Sequence, residues 1–162
     1  MKRIRELQEA EEKPLDLWLL ADPELQVVQS YMDRSLCYVL ELDGSAVGQY
    51  LLLPTRPMTV ELVNVAVAES MHGRGYGKEL VQHAVETAKR LGYHTIEVGT
   101  GNSSIGQLAL YQKCGFRICG VDQDFFIRHY SEPIYENGIQ CRDMIRLQQD
   151  LTSYTCEKGE RK

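Results

Sequence analysis

Between Glu69 and Val81 the chain reads ESMHGRGYGKELV, with glycines at 73, 75 and 77 interleaved with Arg74 and Lys78. Closely spaced glycines let successive backbone N–H groups converge on an anion. The first turn of a following helix adds unpaired N–H groups and the positive end of its dipole. Cations at a helix N-terminus work against that dipole unless an anion lies between them. The loop reads as a phosphate cradle, although the same letters also fit a glycine turn with incidental surface charge. Two familiar cradles fail by count. The pattern G-x-x-x-x-G-K-[ST] puts His72 at its first glycine and Glu79 at the hydroxyl that would meet magnesium. The pattern G-x-G-x-x-G ends on Lys78 when started at Gly73, and on Leu80 when started at Gly75.

Other reactive residue types point elsewhere. His72, His83, His94 and His129 show no metal-ligand spacing, so no metal is expected. Cys114 has no histidine near it in sequence and reads as a small buried residue. The five cysteines (37, 114, 119, 141 and 156) form no C-x-x-C pair, which fits reduced thiols in the cytoplasm. A net charge of −5 leaves no overall footprint for nucleic acid. No apolar run approaches a membrane span, and the charged start MKRIRELQEAEEK lacks a signal peptide's apolar centre. A cytoplasmic protein with no membrane or nucleic-acid partner is expected. At 162 residues and 43% hydrophobic, the chain suits one domain over 1–151 with a frayed polar tail at 152–162.

The elements that must position the loop follow from periodicity. Arg3–Leu7 reads as a short strand, and Leu15–Met32 as a helix broken at Pro23, with Asp22 as a cap. LCYVLEL (36–42) and AVGQYLLL (46–53) read as strands joined by an Asp43-Gly44 hairpin turn. TVELVNVAV (59–67) is a β-branched strand leading into the loop. After it, Leu80, Val81, Ala84, Val85, Ala88 and Leu91 share a helical face, and Gly92 stands where a left-handed cap belongs. TIEV (95–98) is a short strand, and Ser104 with Gln107 resembles a capping box opening a helix through Lys113. FRICGV and DMIRL supply the last strands. Strands in hairpins followed by strand–helix–strand–helix–strand imply an α/β (α+β) fold. Its central sheet would be mixed and mostly antiparallel, with helices on both faces.

Taken in order, the strand, ESMHGRGYGKELV, the helix, TIEVGTGNSS and LALYQKCGF resemble the GCN5-related N-acetyltransferase (GNAT) family, from about Cys37 to Leu147. The family signature at the loop is Gln/Arg-x-x-Gly-x-Gly/Ala. Gly75 and Gly77 match it, and His72 stands where Gln or Arg is usual. The resemblance implies transfer of acetyl from acetyl-CoA to a primary amine by direct attack in a ternary complex. It also implies splayed fourth and fifth strands, no metal, and possible homodimers.

Residue by residue, His72, Gly73, Arg74, Gly75, Gly77 and Lys78 would hold the coenzyme pyrophosphate. The backbone of Val65 and Val67 would pair with the pantetheine arm like an added strand, and the Val65 N–H would polarise the acetyl carbonyl. Asn102 and Ser104 would also face the coenzyme. By count from Tyr111 the family's asparagine falls on Ser104, a departure, and Ser104 equally suits a helix cap. Tyr111, the tyrosine of LYxKxGF, would protonate the leaving thiolate; it also shares a helix face with Leu108 and could simply pack. Glu61 would be the base for the amine, with Glu97 a weaker candidate. An alternating strand also shows such residues to solvent.

The segment DQDFFIRHYSEPIYEN (122–137) offers aromatic walls and carboxylates for a cationic amine, with Phe125, His129, Tyr130, Glu132 and Tyr135 as candidate acceptor contacts. It equally suits a hairpin packing its own aromatics, with Asn137-Gly138 as the turn. Two functions remain open: an N-acetyltransferase acting on a small or peptide amine, and a coenzyme A-binding regulatory domain without turnover. The acceptor is not named by the sequence.

Overall fold

A computed structural model describes residues 1–152, so the tail expected to fray lies outside the described residues from 153 onward. The elements run β1 Lys2–Glu6, α1 Leu15–Ala21, α2 Leu25–Tyr31, β2 Leu36–Leu42, β3 Ser45–Arg56 and β4 Thr59–Val67. They continue with α3 Tyr76–Arg90, β5 Thr95–Gly101, α4 Ile105–Lys113, β6 Arg117–Asp122, α5 Phe125–His129, β7 Tyr135–Glu136, β8 Ile139–Gln140 and β9 Met144–Asp150. A seven-stranded, mostly antiparallel sheet has the order β1-β2-β3-β4-β5-β9-β6, and β7 pairs with β8 separately. The chain forms two compact units, residues 1–53 with 62–84, and residues 54–61 with those from 85 onward.

In the first unit β1 pairs with β2 from Lys2↔Leu42 to Glu6↔Tyr38, and β2 pairs with β3 from Leu36↔Leu52. Asp43 and Gly44 both take positive φ, 50° and 86°, the conformation that a two-residue hairpin turn requires. Trp18, Val28, Tyr31, Leu51 and Leu53 form one apolar cluster. A buried polar chain runs beside it. Tyr31 Oη donates to Asp22 at 2.8 Å, Asn64 Nδ2 donates to Tyr31 Oη and to the Trp18 carbonyl, and Gln49 Nε2 donates to Asn64 Oδ1.

The helix predicted over 15–32 is therefore two, but Asp22 does not cap the second. Its N–H closes α1 on the Trp18 carbonyl, its side chain serves Tyr31, and Glu24 stands at the N-cap of α2. At the top of α3, a Cβ on Gly48 would come within 3.0 Å of Leu80 Cδ1, so β3 and the helix approach closely there.

In the second unit β9 lies between β5 and β6, antiparallel to both, with Gly99↔Arg146 on one side and Gly120↔Arg146 on the other. Ile96, Val98, Leu147 and Phe116 are buried. The end of α3 closes as predicted: Gly92 N–H reaches the Lys89 carbonyl and Tyr93 N–H that of Ala88, a complete Schellman motif on a glycine at φ 90°. Leu91 falls in this cap and is 46% exposed rather than on the helix's apolar face. The segment read as a loop after β6 holds α5 and then the β7–β8 hairpin, whose Asn137 and Gly138 both have positive φ.

Candidate functional site

In the first unit β4 ends at Val67, and the chain turns through a 3-10 turn, Glu69–Met71, into the glycine loop. Val65 and Val67 are buried, and their side chains belong to the core. His72 is exposed, and its Nε2 lies 2.7 Å from the carbonyl of Val67. A carbonyl only accepts, so Nε2 carries the proton and ties the loop to the end of the strand. Gly73 and Gly75 take φ 79° and 83°. A Cβ at either would meet no heavy atom within 4 Å, so crowding does not demand glycine there. The left-handed backbone does, at about 1–2 kcal/mol for any L side chain.

Helix α3 opens at Tyr76, and the Glu79 N–H bonds the Gly75 carbonyl. Helix geometry leaves the first-turn N–H groups before it without intrahelical partners. The one acidic residue of that turn, Glu79, is engaged by Lys2 Nζ at 3.0 Å. Arg74 and Lys78 are exposed and make no ion pair among the described residues. Two free cations, unpaired N–H groups and a helix dipole thus converge on one spot, which suits a pyrophosphate.

The second unit carries the other candidates. Tyr111 on α4 is 4% exposed, its ring 5.9 Å from that of Phe116 at an edge-on angle of 63°. Its hydroxyl has no hydrogen-bond partner among the described residues. Burial, and then the neighbouring Cys114, push its pKa above the ordinary tyrosine value, so the phenol stays protonated across any working pH. Glu61 on β4 is half-buried, and Arg146 Nη1 from β9 donates to its Oε2 at 3.4 Å. Arg146 Nη2 lies 3.8 Å from Oε1 of Glu97, whose other oxygen Arg56 holds.

Asn102 and Ser104 have their side chains committed within this unit. Asn102 Oδ1 accepts from the N–H groups of Arg142 and Asp143, and its Nδ2 donates to the Gln140 carbonyl. Ser104 makes no side-chain cap bond to α4; its hydroxyl donates to Glu136 Oε1 at 2.7 Å, which corrects the capping-box reading. These bonds fasten residues 136–143 to the end of β5.

Phe125, His129 and Tyr130 pack together on and after α5, with Phe125 4.6 Å from His129 and 6.4 Å from Tyr130 between ring centres. Tyr135, 66% exposed on β7, and Glu132, also exposed, make no ring contact with that group among the described residues. Two residues around the Glu61 contact escaped the sequence reading: Arg146, within the run DMIRL, and Gly99 opposite it. A lone arginine and a lone glycine inside β patterns were the only signals available. Among the described residues no group of three or more His, Cys, Asp or Glu could hold a metal, and no helix is long and apolar enough to cross a membrane.

Comparison with known proteins bears on this geometry. The sequence model of the acetyltransferase (GNAT) family matches residues 2–116. The chain is 57% identical to the "Uncharacterized N-acetyltransferase YvbK" of Bacillus subtilis (strain 168), over 92% of this chain and 96% of that protein. Its fold is similar to that of a Bacillus subtilis acetyltransferase solved in complex with CoA: TM-score 0.88, 56% identity, 94% of this chain and 100% of that one. It is also similar to a GNAT family acetyltransferase from Elizabethkingia anophelis with acetyl-CoA bound: TM-score 0.90, 40% identity, 92% and 97% covered.

Proposed function

The chain belongs to the acetyltransferase (GNAT) family, and from that premise we propose that it moves acetyl from acetyl-CoA onto a primary amine by direct attack in a ternary complex. Acetyl-CoA is the donor. The observation that carries the reading is the glycine loop: Gly73 and Gly75 in left-handed backbone ahead of α3, flanked by Arg74 and Lys78, which make no ion pair among the described residues. One acetyltransferase domain over 1–151 carries the reaction.

In this reading the loop N–H groups, with Arg74, Gly77 and Lys78, hold the pyrophosphate, and His72 fixes where that loop starts. The backbone of Val65 and Val67 pairs with the pantetheine arm, and the Val65 N–H polarises the thioester carbonyl. The amine must first lose a proton, because an ammonium of ordinary pKa, near 10.4, has no lone pair to attack with. Glu61 accepts that proton through water. The C–N bond then forms, the C–S bond breaks, and the buried Tyr111 phenol donates its hydrogen to the departing sulfur. The aromatic group of Phe125, His129 and Tyr130 is the proposed wall for the acceptor.

The test is incubation with acetyl-CoA and a panel of amines (spermidine, tryptamine, lysine and a peptide α-amine) while following thiol release. Release that depends on the amine supports transfer. Thermal stabilisation by acetyl-CoA with no release from any amine supports a coenzyme-binding domain instead. No stabilisation at all overturns both.

A further inference from the structure

We propose that Arg146 is the positioning residue for the Glu61 carboxylate, and that Gly99 is the slot its guanidinium crosses to reach it. The inference rests on the reading of Glu61 as base. In the β9 register Arg146 stands opposite Gly99 of β5 and Gly120 of β6, with Cys119 bulged beside Gly120 and its thiol on the Arg146 carbonyl, so neither register partner carries a side chain. A long side chain can then lie down along the sheet instead of standing off it. It lies to one side only. A Cβ built on Gly99 would sit 2.8 Å from Arg146 Nη1 and 2.5 Å from Met144 Sδ, whereas a Cβ on Gly120 meets nothing within 4 Å.

From that position Nη1 donates to Glu61 Oε2 at 3.4 Å and packs 3.2 Å from Met144 Sδ, while Nη2 faces Glu97 Oε1 at 3.8 Å. Glu97 is itself held by Arg56 from the other side. The guanidinium therefore stands against two carboxylates whose side chains are only 17% and 13% exposed, and is 27% exposed itself. Its planar fork fixes where Oε2 of Glu61 lies. Oε1 has no partner among the described residues and is the oxygen left for the amine's proton. A base acts only within hydrogen-bond reach of that proton, so a shift of the carboxylate by about 1 Å lowers turnover by up to about a hundredfold.

A merely structural ion pair predicts something different: loss of stability with kcat untouched. Gly99→Ala separates the two, because the atoms in its way belong to the flexible side chains of Met144 and Arg146, which move without unfolding the sheet. The panel acceptor giving the fastest thiol release is used with the full chain. Gly99→Ala and Arg146→Gln should each lower kcat about tenfold with the acetyl-CoA dissociation constant within twofold, Arg146→Lys should recover part of the loss, and Gly120→Ala should match the native rate. In a Glu61→Gln background Arg146→Gln should lower kcat no further.

Native kcat in Gly99→Ala and Arg146→Gln, beside an impaired Glu61→Gln, overturns this proposal and leaves the base reading standing. Full additivity of Arg146→Gln with Glu61→Gln does the same. Native kcat in Glu61→Gln, or thiol release with none of the amines, overturns the base reading and this proposal with it.

Discussion

The Nε2–H of His72 donates to the carbonyl of Val67 at 2.7 Å, bridging the glycine loop and the end of the strand that leads into it. A carbonyl only accepts, so the contact needs a donor at position 72. Its role is geometric: it fixes where the loop starts relative to Val67. His72→Ala should weaken acetyl-CoA binding by about 2- to 10-fold, the effect of one ordinary hydrogen bond. His72→Gln, which keeps a donor, should lose less. Calorimetric titration with acetyl-CoA checks both, and identical losses would show that a donor at 72 does not matter.

Gly75 holds φ 83° with open space around its Cα. Gly75→Ala should cost about 1 kcal/mol through the backbone alone. Because an exposed loop can relax when empty, the larger part should appear in coenzyme affinity and the smaller in the melting temperature. A variant that melts much earlier yet binds normally would contradict this.

Tyr111→Phe keeps the ring against Phe116 and removes only the hydroxyl. Turnover should fall far more than coenzyme affinity. Equal losses in kcat and in acetyl-CoA binding would mean that the residue packs and does not donate.

Asn102 uses its whole carboxamide on residues 140–143. Asn102→Ala should cost about 1–2 kcal/mol locally. It should speed hydrogen exchange at the amides of Arg142 and Asp143 before any global change. Unchanged exchange at those two amides would refute the fastening role.

Arg5 holds Glu11 and Glu41 together, and the bonds from its guanidinium keep Glu11 down at about 2, with Glu41 also lowered. A carboxyl whose folded pKa is depressed stabilises the fold above its ordinary value, near 4.5, and that contribution is lost as pH falls toward 2. Melting temperature should therefore drop between pH 5 and about pH 2, and Arg5→Gln should flatten the drop. Arg5 and Glu11 stay partly open to solvent, so the difference should be modest. An equal drop in both proteins would remove Arg5 from the account.

Most of the elements were legible in the chain because their signals are local. Thr59–Val67 reads as a strand from its β-branched run and is one over those same residues. Asp43-Gly44, Gly92 and Asn137-Gly138 announce turns because few other residues accept positive φ. The backbone of the glycine loop was legible for the same reason, since its positive-φ glycines and the start of α3 are consecutive. Where local rules misled, a distant partner had won. Ser104 looks like a cap until Glu136, far along the chain, takes its hydroxyl, and Asp22 looks like a cap until its carboxylate accepts from the Tyr31 hydroxyl.

The sequence by itself determined the family and the donor, because both rest on short runs whose backbone chemistry is complete within a few residues. Only the tertiary structure decided what surrounds Glu61. Its partner Arg146 is 85 residues away, and nothing in IEVGTG announces that Gly99 is the gap between them. Strand order and register set that pairing. A register change of one residue would have turned Arg146 to the other face of the sheet.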